Sequence, residues 1–255
     1  MNKISEWFDP QLSIAIDLLR YSKNEVAFTG AGISTESGIA DFRSPGGLWE
    51  LYNPLKYANY NIFLKNPEYY WELERKLGEI FLKAKPNIGH KSLVKLEKKG
   101  KLKAIITQNM DNLQQKARSK IPIIELHGNA QKAYCMDCKK PISRKYINKN
   151  LKKSEEIPAC PYCSGRIKTN VILFHEPLAQ DVLKTARSWA EKCDVMLILG
   201  SFLTVYPANQ IPVIAKKAGA TLIFINNEPT HYDKYATLRM LGEIGNYLPL
   251  IVSGV

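Results

Sequence analysis

No apolar run in the 255-residue chain approaches the length of a membrane span. The first residues, "MNKISEWFDP", carry no apolar stretch behind their lysine, so a secretory leader is not expected. Both absences predict a soluble, cytoplasmic protein with no membrane partner. An even set of cysteines is missing too. There are five, Cys135, Cys138, Cys160, Cys163 and Cys193, and an odd count without a leader argues against a disulfide framework. Neither an internal repeat nor a low-complexity tract is present, which excludes solenoid and fibrous architectures. Acidic side chains are the scarcer charge: 24 Asp and Glu face 36 Lys and Arg, a formal +12. The excess is local, with ten basic and three acidic residues between Gln131 and Lys168. Two readings fit that segment: a solvated lysine-rich surface, or a patch that meets an acidic partner such as DNA or a DNA-bound protein.

What is present is an ordinary globular composition, 45% hydrophobic and 24% charged. The length suffices for one large core, or for a core plus a small module. Short apolar runs at 25–30, 102–109, 121–126, 170–174, 194–200 and 220–226 predict strands buried on both faces. Amphipathic segments lie between several of them. Asp9-Pro10 predicts a capped helix through Arg20, and further helices are expected over 67–84, 89–99, 178–192 and 208–218. Strands alternating with helices predict an α/β fold with a doubly wound parallel sheet. Two stretches break the rhythm: 41–67, rich in Gly, Pro, Asn and Tyr, and 128–169, which holds the paired cysteines.

The segment "AFTGAGISTESG" follows the first predicted strand directly. Gly30 and Gly32 let backbone approach a diphosphate, but Thr35 stands where a dinucleotide fingerprint has its third glycine. A tight turn without a ligand is therefore an equal reading of these glycines alone. Asp41 and Arg43 follow in an apolar, glycine-flanked loop, where charges are usually paired or face a ligand.

The pairs Cys135-x-x-Cys138 and Cys160-x-x-Cys163 have the spacing of a four-thiolate zinc site. Four thiolates fill a tetrahedral ion and leave no open position, so a structural metal is expected. Cys193 reads as a small buried hydrophobe. With the zinc satisfied by thiolates, His127 is not needed as a ligand. It ends a predicted strand of an open α/β sheet, where ligands bind, and that position favours catalysis.

Taken together, "GAGISTESGIADFRSPGGLW", "TQNMD", "ELHG", the two cysteine pairs, "LFHEPL", "LGSFLTVYPA" and "INNEPT" stand in one order along nearly the whole chain. In this they resemble the sirtuin family of NAD-dependent protein lysine deacylases. The resemblance implies a Rossmann-like NAD-binding domain (1–44, 90–130 and 169–255), a cofactor loop with a helical module (45–89) and an inserted zinc module (131–168). It implies two cofactors, NAD and Zn²⁺. The Gly30-Ala31-Gly32 loop is expected at the diphosphate, and Asp41, Phe42 and Arg43 in the cofactor loop. Gln108, Asn109 and Asp111 are expected around the ribose and nicotinamide, Asn109 and Asp111 with a part in catalysis. Gly200, Ser201, Asn226, Glu228 and Ile244 are expected on the adenosine side. Val171, Leu173, Phe174, His175 and Glu176 fall where the family pairs its backbone with the substrate peptide. His127 takes the position of the general base. In the implied reaction the acyl oxygen attacks the ribose carbon as nicotinamide leaves, and the base then takes a proton from a ribose hydroxyl. The products are free lysine, nicotinamide and O-acyl-ADP-ribose. An imidazole suits this role because its unperturbed pKa, about 6.5, lies near working pH. The implied partner is an acyl-lysine protein substrate, a basic chromatin- or nucleic-acid-associated protein among the candidates. The alternatives are a mono-ADP-ribosyltransferase on the same scaffold and a weakly active NAD- or ADP-ribose-binding module.

Departures from the family pattern concentrate at three places. Asn112-Leu113-Gln114 replaces Gly-Leu-His, Phe174-His175-Glu176 replaces Phe-Gly-Glu, and Phe202 replaces a small hydroxyl residue. Sirtuins that favour acidic acyl groups carry a Tyr-x-x-Arg in the helical module. Glu74 and Leu77 align with it here, and Arg75 is turned about 200° from Leu77's direction on a helix. Acetyl and longer neutral acyl groups are therefore expected over succinyl or malonyl.

Overall fold

The computed structural model describes residues 10–42, 44, 46–153 and 156–255. Asp9, expected to cap the first helix, and Arg43, expected in the cofactor loop, lie outside the described residues. Among the described residues nine strands form: β1 (Glu25–Thr29), β2 (Leu102–Thr107), β3 (Ile123–Glu125), β4 (Gly128–Cys135), β5 (Pro141–Ile142), β6 (Ile167–Val171), β7 (Val195–Leu199), β8 (Thr221–Asn226) and β9 (Leu238–Leu241). Six of them make one parallel sheet in the order β3-β2-β1-β7-β8-β9. The order reverses between β1 and β7. Their carboxyl ends are thus the place where a doubly wound sheet opens a ligand crevice.

The central strands alternate between two apolar layers, as buried parallel strands must. Val26 and Phe28 of β1 pack with Leu183 and Ala186 of the Gln180–Lys192 helix and with Ile211 of the Gln210–Lys217 helix. Ala27 packs on the other face with Leu19, Leu93 and Leu248, from the helices Pro10–Tyr21, Ile88–Lys98 and Ile244–Gly254. The Rossmann-like, doubly wound expectation is met. Cys193 is buried in the first of these layers, as a small hydrophobe should be.

The stretch that lacked a strand period folds into short helices, Leu48–Leu51, Pro54–Tyr57 and Tyr60–Lys65, followed by the long helix Glu68–Lys83. Asparagine caps set the breaks: Asn53 accepts from the amide of Leu55, and Asn59 from those of Asn61 and Ile62. The cysteine-bearing stretch forms a small antiparallel sheet, β5-β4-β6, with the Arg144–Lys153 helix beside it. Trp71, Leu77 and Phe81 share one apolar cluster with Ala130, Ile142, Ile147 and Ile167, so the two insertions pack on each other.

One expected strand is corrected. Residues 170–174 do not join the parallel sheet. Instead β6 pairs antiparallel with β4, Asn170 opposite Asn129 and Ile167 opposite Cys135. A five-residue apolar run carries no register, and here the residues before it supply the alternation that β4 needs. The chain leaves the small sheet after Val171. Phe174 then makes an isolated bridge with Asn59 in the helical segment.

Candidate active site

The crevice opens where the geometry of the sheet puts it. Thr29 and Thr107, the last residues of β1 and β2, join hydroxyls at 2.8 Å. The Gly30–Gly32 loop and the Gly200 loop cross there. The amide of Gly30 bonds the carbonyl of Leu199 at 3.0 Å, and the amide of Gly32 bonds that of Gly200 at 2.9 Å. A Cβ on Gly32 would lie 2.7 Å from Cα of Gly200. Gly200 has φ of 62°, and a Cβ on it would come within 2.4 Å of the Ile33 amide nitrogen. Close approach explains both glycines, and Thr35 stands clear of the crossing, its hydroxyl turned back to the Gly32 carbonyl at 2.9 Å.

Two cavities meet at this crossing. One is lined by the glycine loop with Ala31, Asp41, Phe42, Gln108, Asn109, His127 and the segment Val171–Glu176. The other is lined by Asn226, Glu228 and Ile244. Both share Gly32, Asp41, Gly200, Ser201 and Phe202. An elongated, two-ended ligand of the dinucleotide class fits such a groove. Ser201 is held at the crossing: its amide donates to Asn226 Oδ1 at 2.9 Å, and its hydroxyl accepts from Gln108 Nε2 at 2.7 Å. Asp41 is fixed by the Ser44 amide at 2.7 Å and the Ser44 hydroxyl at 2.5 Å. Phe42 packs on Trp49 at 4.9 Å between centroids, and Trp49 on Phe174 at 6.0 Å.

His127 lies with Leu126 in the tight turn between β3 and β4. Its Nδ1 lies 3.0 Å from the carbonyl of Gln108, a distance that fits an Nδ1–H donor and leaves the lone pair on Nε2. The His127 carbonyl in turn takes the Ile172 amide at 3.0 Å, which ties the histidine to the start of the segment expected to meet a peptide. Asn109 lines the same cavity, its Nδ2 donating to the Gly30 carbonyl at 3.0 Å and to Ser34 Oγ at 3.2 Å. Asp111 does not line it. This aspartate is buried behind Asn109, where it accepts from Ser34 Oγ at 2.7 Å and from the Leu113 amide at 2.8 Å. Burial raises its pKa above the usual carboxylate value, and these two hydrogen bonds pull it back.

The segment Val171–Glu176 lines the opposite wall. The Phe174 amide bonds the Ala58 carbonyl at 2.8 Å, and the Phe174 carbonyl takes the Tyr60 amide at 3.0 Å. His175 sits at φ 66°, a left-handed conformation that suits glycine and explains the family's residue there. Glu176 Oε2 accepts the Leu173 amide at 2.9 Å and pairs with the buried Lys168 at 3.0 Å. Lys168 is a site-supporting residue the sequence reading missed. A lysine in a basic stretch looks solvated, and only its place on β6 turns it inward. Tyr70, Leu73, Glu74 and Leu77 complete the wall.

The four paired cysteines form the sole candidate metal cluster among the described residues. Their Sγ atoms all lie within 4.8 Å of one another, Cys135 to Cys163 at 3.5 Å and Cys138 to Cys160 at 3.8 Å. Sulfurs on a tetrahedral zinc at about 2.3 Å stand roughly 3.8 Å apart, so the donor set fits the ion in number, kind and spacing. β4 runs from Gly128 to Cys135. Gly128 lies opposite Val171 and Cys135 opposite Ile167, four steps of β6, so at about 3.3 Å per residue the strand start beside His127 stands roughly 13 Å from Cys135, too far for a shared ion. The histidine is no zinc ligand.

The Sir2 family model matches residues 30–207. The NAD-dependent protein deacetylase of Sulfolobus acidocaldarius is 44% identical over 94% of this chain and 93% of its own length. The NAD-dependent protein deacylase 2 of Archaeoglobus fulgidus is 42% identical over 97% of each. A solved Sir2 structure with a p53 peptide and NAD⁺ superposes with a TM-score of 0.88 at 37% identity, covering 95% of this chain and 97% of that one. Among the described residues, no helix is long and apolar enough to cross a membrane.

Proposed function

The chain belongs to the Sir2 family, the sirtuins, and on that premise we propose that it is an NAD-dependent protein lysine deacylase. The reaction moves the acyl group from lysine to ADP-ribose with release of nicotinamide, and consumes one water in freeing the lysine amine. The observation that carries this reading is one cavity that joins His127, Gln108 and Asn109 to the glycine crossing on one side and to the Val171–Glu176 segment on the other. NAD, when bound, supplies a ribose carbon that accepts the acyl oxygen as nicotinamide departs.

His127 is the general base of this mechanism. The Gln108 carbonyl holds its ring by Nδ1, so Nε2 is the atom that takes up a ribose hydroxyl proton. Asn109 faces the ribose and nicotinamide. Asp111 acts one layer behind, through Ser34 and the Leu113 amide, as a positioning residue. Gly30, Ala31, Gly32, Asp41, Phe42 and Gln108 line the nicotinamide half. Gly200 and Ser201 hold the middle, with Asn226, Glu228 and Ile244 on the adenosine half. Val171, Leu173, Phe174, His175 and Glu176 receive the acyl-lysine segment of the substrate protein. Cys135, Cys138, Cys160 and Cys163 hold the zinc, whose role is structural because four thiolates leave no open position.

The basic segment supports a preference for acidic partners, such as nucleic acid or a protein bound to it. Lys145, Lys149 and Lys152 are exposed at helical spacing on one face of the Arg144–Lys153 helix. Binding by this face should weaken steeply with salt, and salt-independent binding counts against it. The test of the main reading is an acetyl-lysine peptide incubated with the protein and NAD. Nicotinamide release in step with lysine formation supports deacylation. Adenine label stably attached to protein supports the ADP-ribosyltransferase alternative instead.

A further inference from the structure

The adenosine half of the groove is walled by two segments that lie far apart in the chain and are tied by one side chain. Thr35 and Glu36 line it from the short helical turn Ala31–Ser37, which begins in the diphosphate loop. Glu243 and Ile244 line it from the start of the Ile244–Gly254 helix. The first amides of a helix have no partner within it. Glu243 stands at the N-cap position but makes no side-chain cap. Glu36 supplies the acceptor from the other segment, 209 residues away: its Oε1 takes the Gly245 amide at 2.9 Å. The approach is close enough to require glycine, since a Cβ on Gly245 would lie 2.1 Å from Glu36 Oε2. Among the described residues this is the one side-chain hydrogen bond between the turn and that helix. Behind the cavity, Ile33 of the turn and Ile244 of the helix meet over Gly89. A Cβ there would lie 3.1 Å from Ile244 Cγ2 and 3.5 Å from Ile33 Cγ1. Asn87 holds the Ile33 side of this junction, its Nδ2 donating to the Ile33 carbonyl at 2.7 Å and its Oδ1 accepting the His90 amide at 3.2 Å. The Ile244 side is held by Glu36.

We propose that Glu36 is a positioning residue for the cofactor: by capping the Ile244–Gly254 helix it fixes Ile244 and so sets affinity for the adenosine half of NAD. The proposal rests on the NAD-dependent reading and deepens it. Ile244 offers a bound base apolar surface alone, and such a surface is useful only where its backbone stays put. Without the cap the first turn of the helix frays, and binding must first restore it. Apparent affinity then falls with the fraction of the protein that is competent to bind. Because Glu36 acts through Gly245 and Ile244, an acceptor oxygen at that spot matters more than a charge.

The test uses the full chain with zinc bound and measures NAD and ADP-ribose binding by calorimetry, without peptide. In Glu36→Ala the Kd for both should rise by about fivefold, what the loss of a helix cap costs when all of it falls on the binding-competent state. Glu36→Gln keeps an acceptor oxygen for the Gly245 amide and should stay within about twofold of the unmodified protein. Amide hydrogen exchange at Gly245 should quicken in the alanine variant and not in the glutamine one. In turnover, KM for NAD should rise in Glu36→Ala while KM for an acetyl-lysine peptide stays within about twofold. An alanine variant that binds NAD as tightly as the unmodified protein overturns the proposal. So does a glutamine variant as weak as the alanine one, which assigns the effect to charge acting on the ligand itself. An equal rise in both KM values marks a general loss of structure and overturns it too. Failure of the unmodified protein to bind NAD refutes instead the reading on which the proposal rests, so the two failures are distinct.

Discussion

Replacing Lys168 by methionine should cost about 3–5 kcal/mol of stability, the penalty for removing one partner of a buried ion pair. The Lys168 side chain is 1% exposed, and Glu176 opposite it is 12% exposed. The ammonium also donates to the carbonyl of Val171 at 2.6 Å. Burial pushes the lysine's pKa down, and the Glu176 charge pulls it back up. Methionine fills much of the same volume, so what is lost is charge and hydrogen bonding rather than packing. Glu176 is left facing an apolar group while it still holds the Leu173 amide. A loss of this size is a large share of the roughly 5–15 kcal/mol that stabilises a typical domain. Urea unfolding at one pH measures it. The effect should also reach the site, because the pair anchors the segment that lines the peptide side of the cavity. Peptide KM should rise more than kcat falls. Adding Glu176→Leu should recover most of the stability, since an apolar pair replaces the buried ions, without restoring KM. A single variant within about 1 kcal/mol of the unmodified protein, or a double variant no more stable than the single, would refute the reasoning.

Two further outcomes follow from the zinc site and from buried titrating groups. Metal analysis should find one zinc per chain, and serine at any of the four cysteines should unfold the 128–169 segment and lower activity indirectly; zinc retained after two replacements contradicts this. Glu25, the first residue of β1, is buried, and its pKa is raised from 4.5 to about 7, chiefly by desolvation. The folded state therefore holds this proton where the unfolded state has released it, and stability falls as pH rises from 4.5 to 7, by about 3 kcal/mol at most. His90 works oppositely: burial lowers its pKa from 6.5 to about 4, so stability is lost as pH falls through that window. Glu25→Gln should remove the first effect and expose the second, so that the variant loses stability on acidification from pH 6.5 to 4.5 where the unmodified protein changes little. Comparing the two proteins at each pH cancels the protonation of the zinc thiolates, and identical pH profiles would sink the assignment.

The parts of the fold visible in the sequence are those where one residue type can serve one purpose. Glycines at the crossing of two strand-end loops, four thiols at metal spacing and a histidine just past a strand end are each legible because close approach, coordination and proton transfer admit few substitutes. The β-branched runs gave five of the six expected parallel strands. The run at 170–174 misled because a short apolar stretch fits an antiparallel insertion as well as a parallel core. β9, "LRML", was missed because four residues with a central arginine carry too little pattern. The Ile244–Gly254 helix was missed because Pro249 and a nearly all-apolar composition hide its period. The polar groups behind the site were illegible for another reason. Glu74 and Arg144, or Lys168 and Glu176, look like ordinary charged surface until the two insertions pack together, and no spacing along the chain announces that contact. Asp111 shows the same limit from the other side: its motif marks it as important, but only packing puts it behind Asn109 rather than in the cavity.

The central claim, that His127 is the base of an NAD-dependent deacylase, is tested most directly by mass spectrometry of an acetyl-lysine peptide incubated with NAD and either the unmodified protein or His127→Ala. Free lysine, nicotinamide and O-acetyl-ADP-ribose should form in equal amounts with the unmodified protein. The variant should be slower by ~10²- to 10⁴-fold, the contribution of a positioned general base, with its fold and zinc content unchanged. A variant that keeps full activity, or one that loses its zinc, would contradict the account.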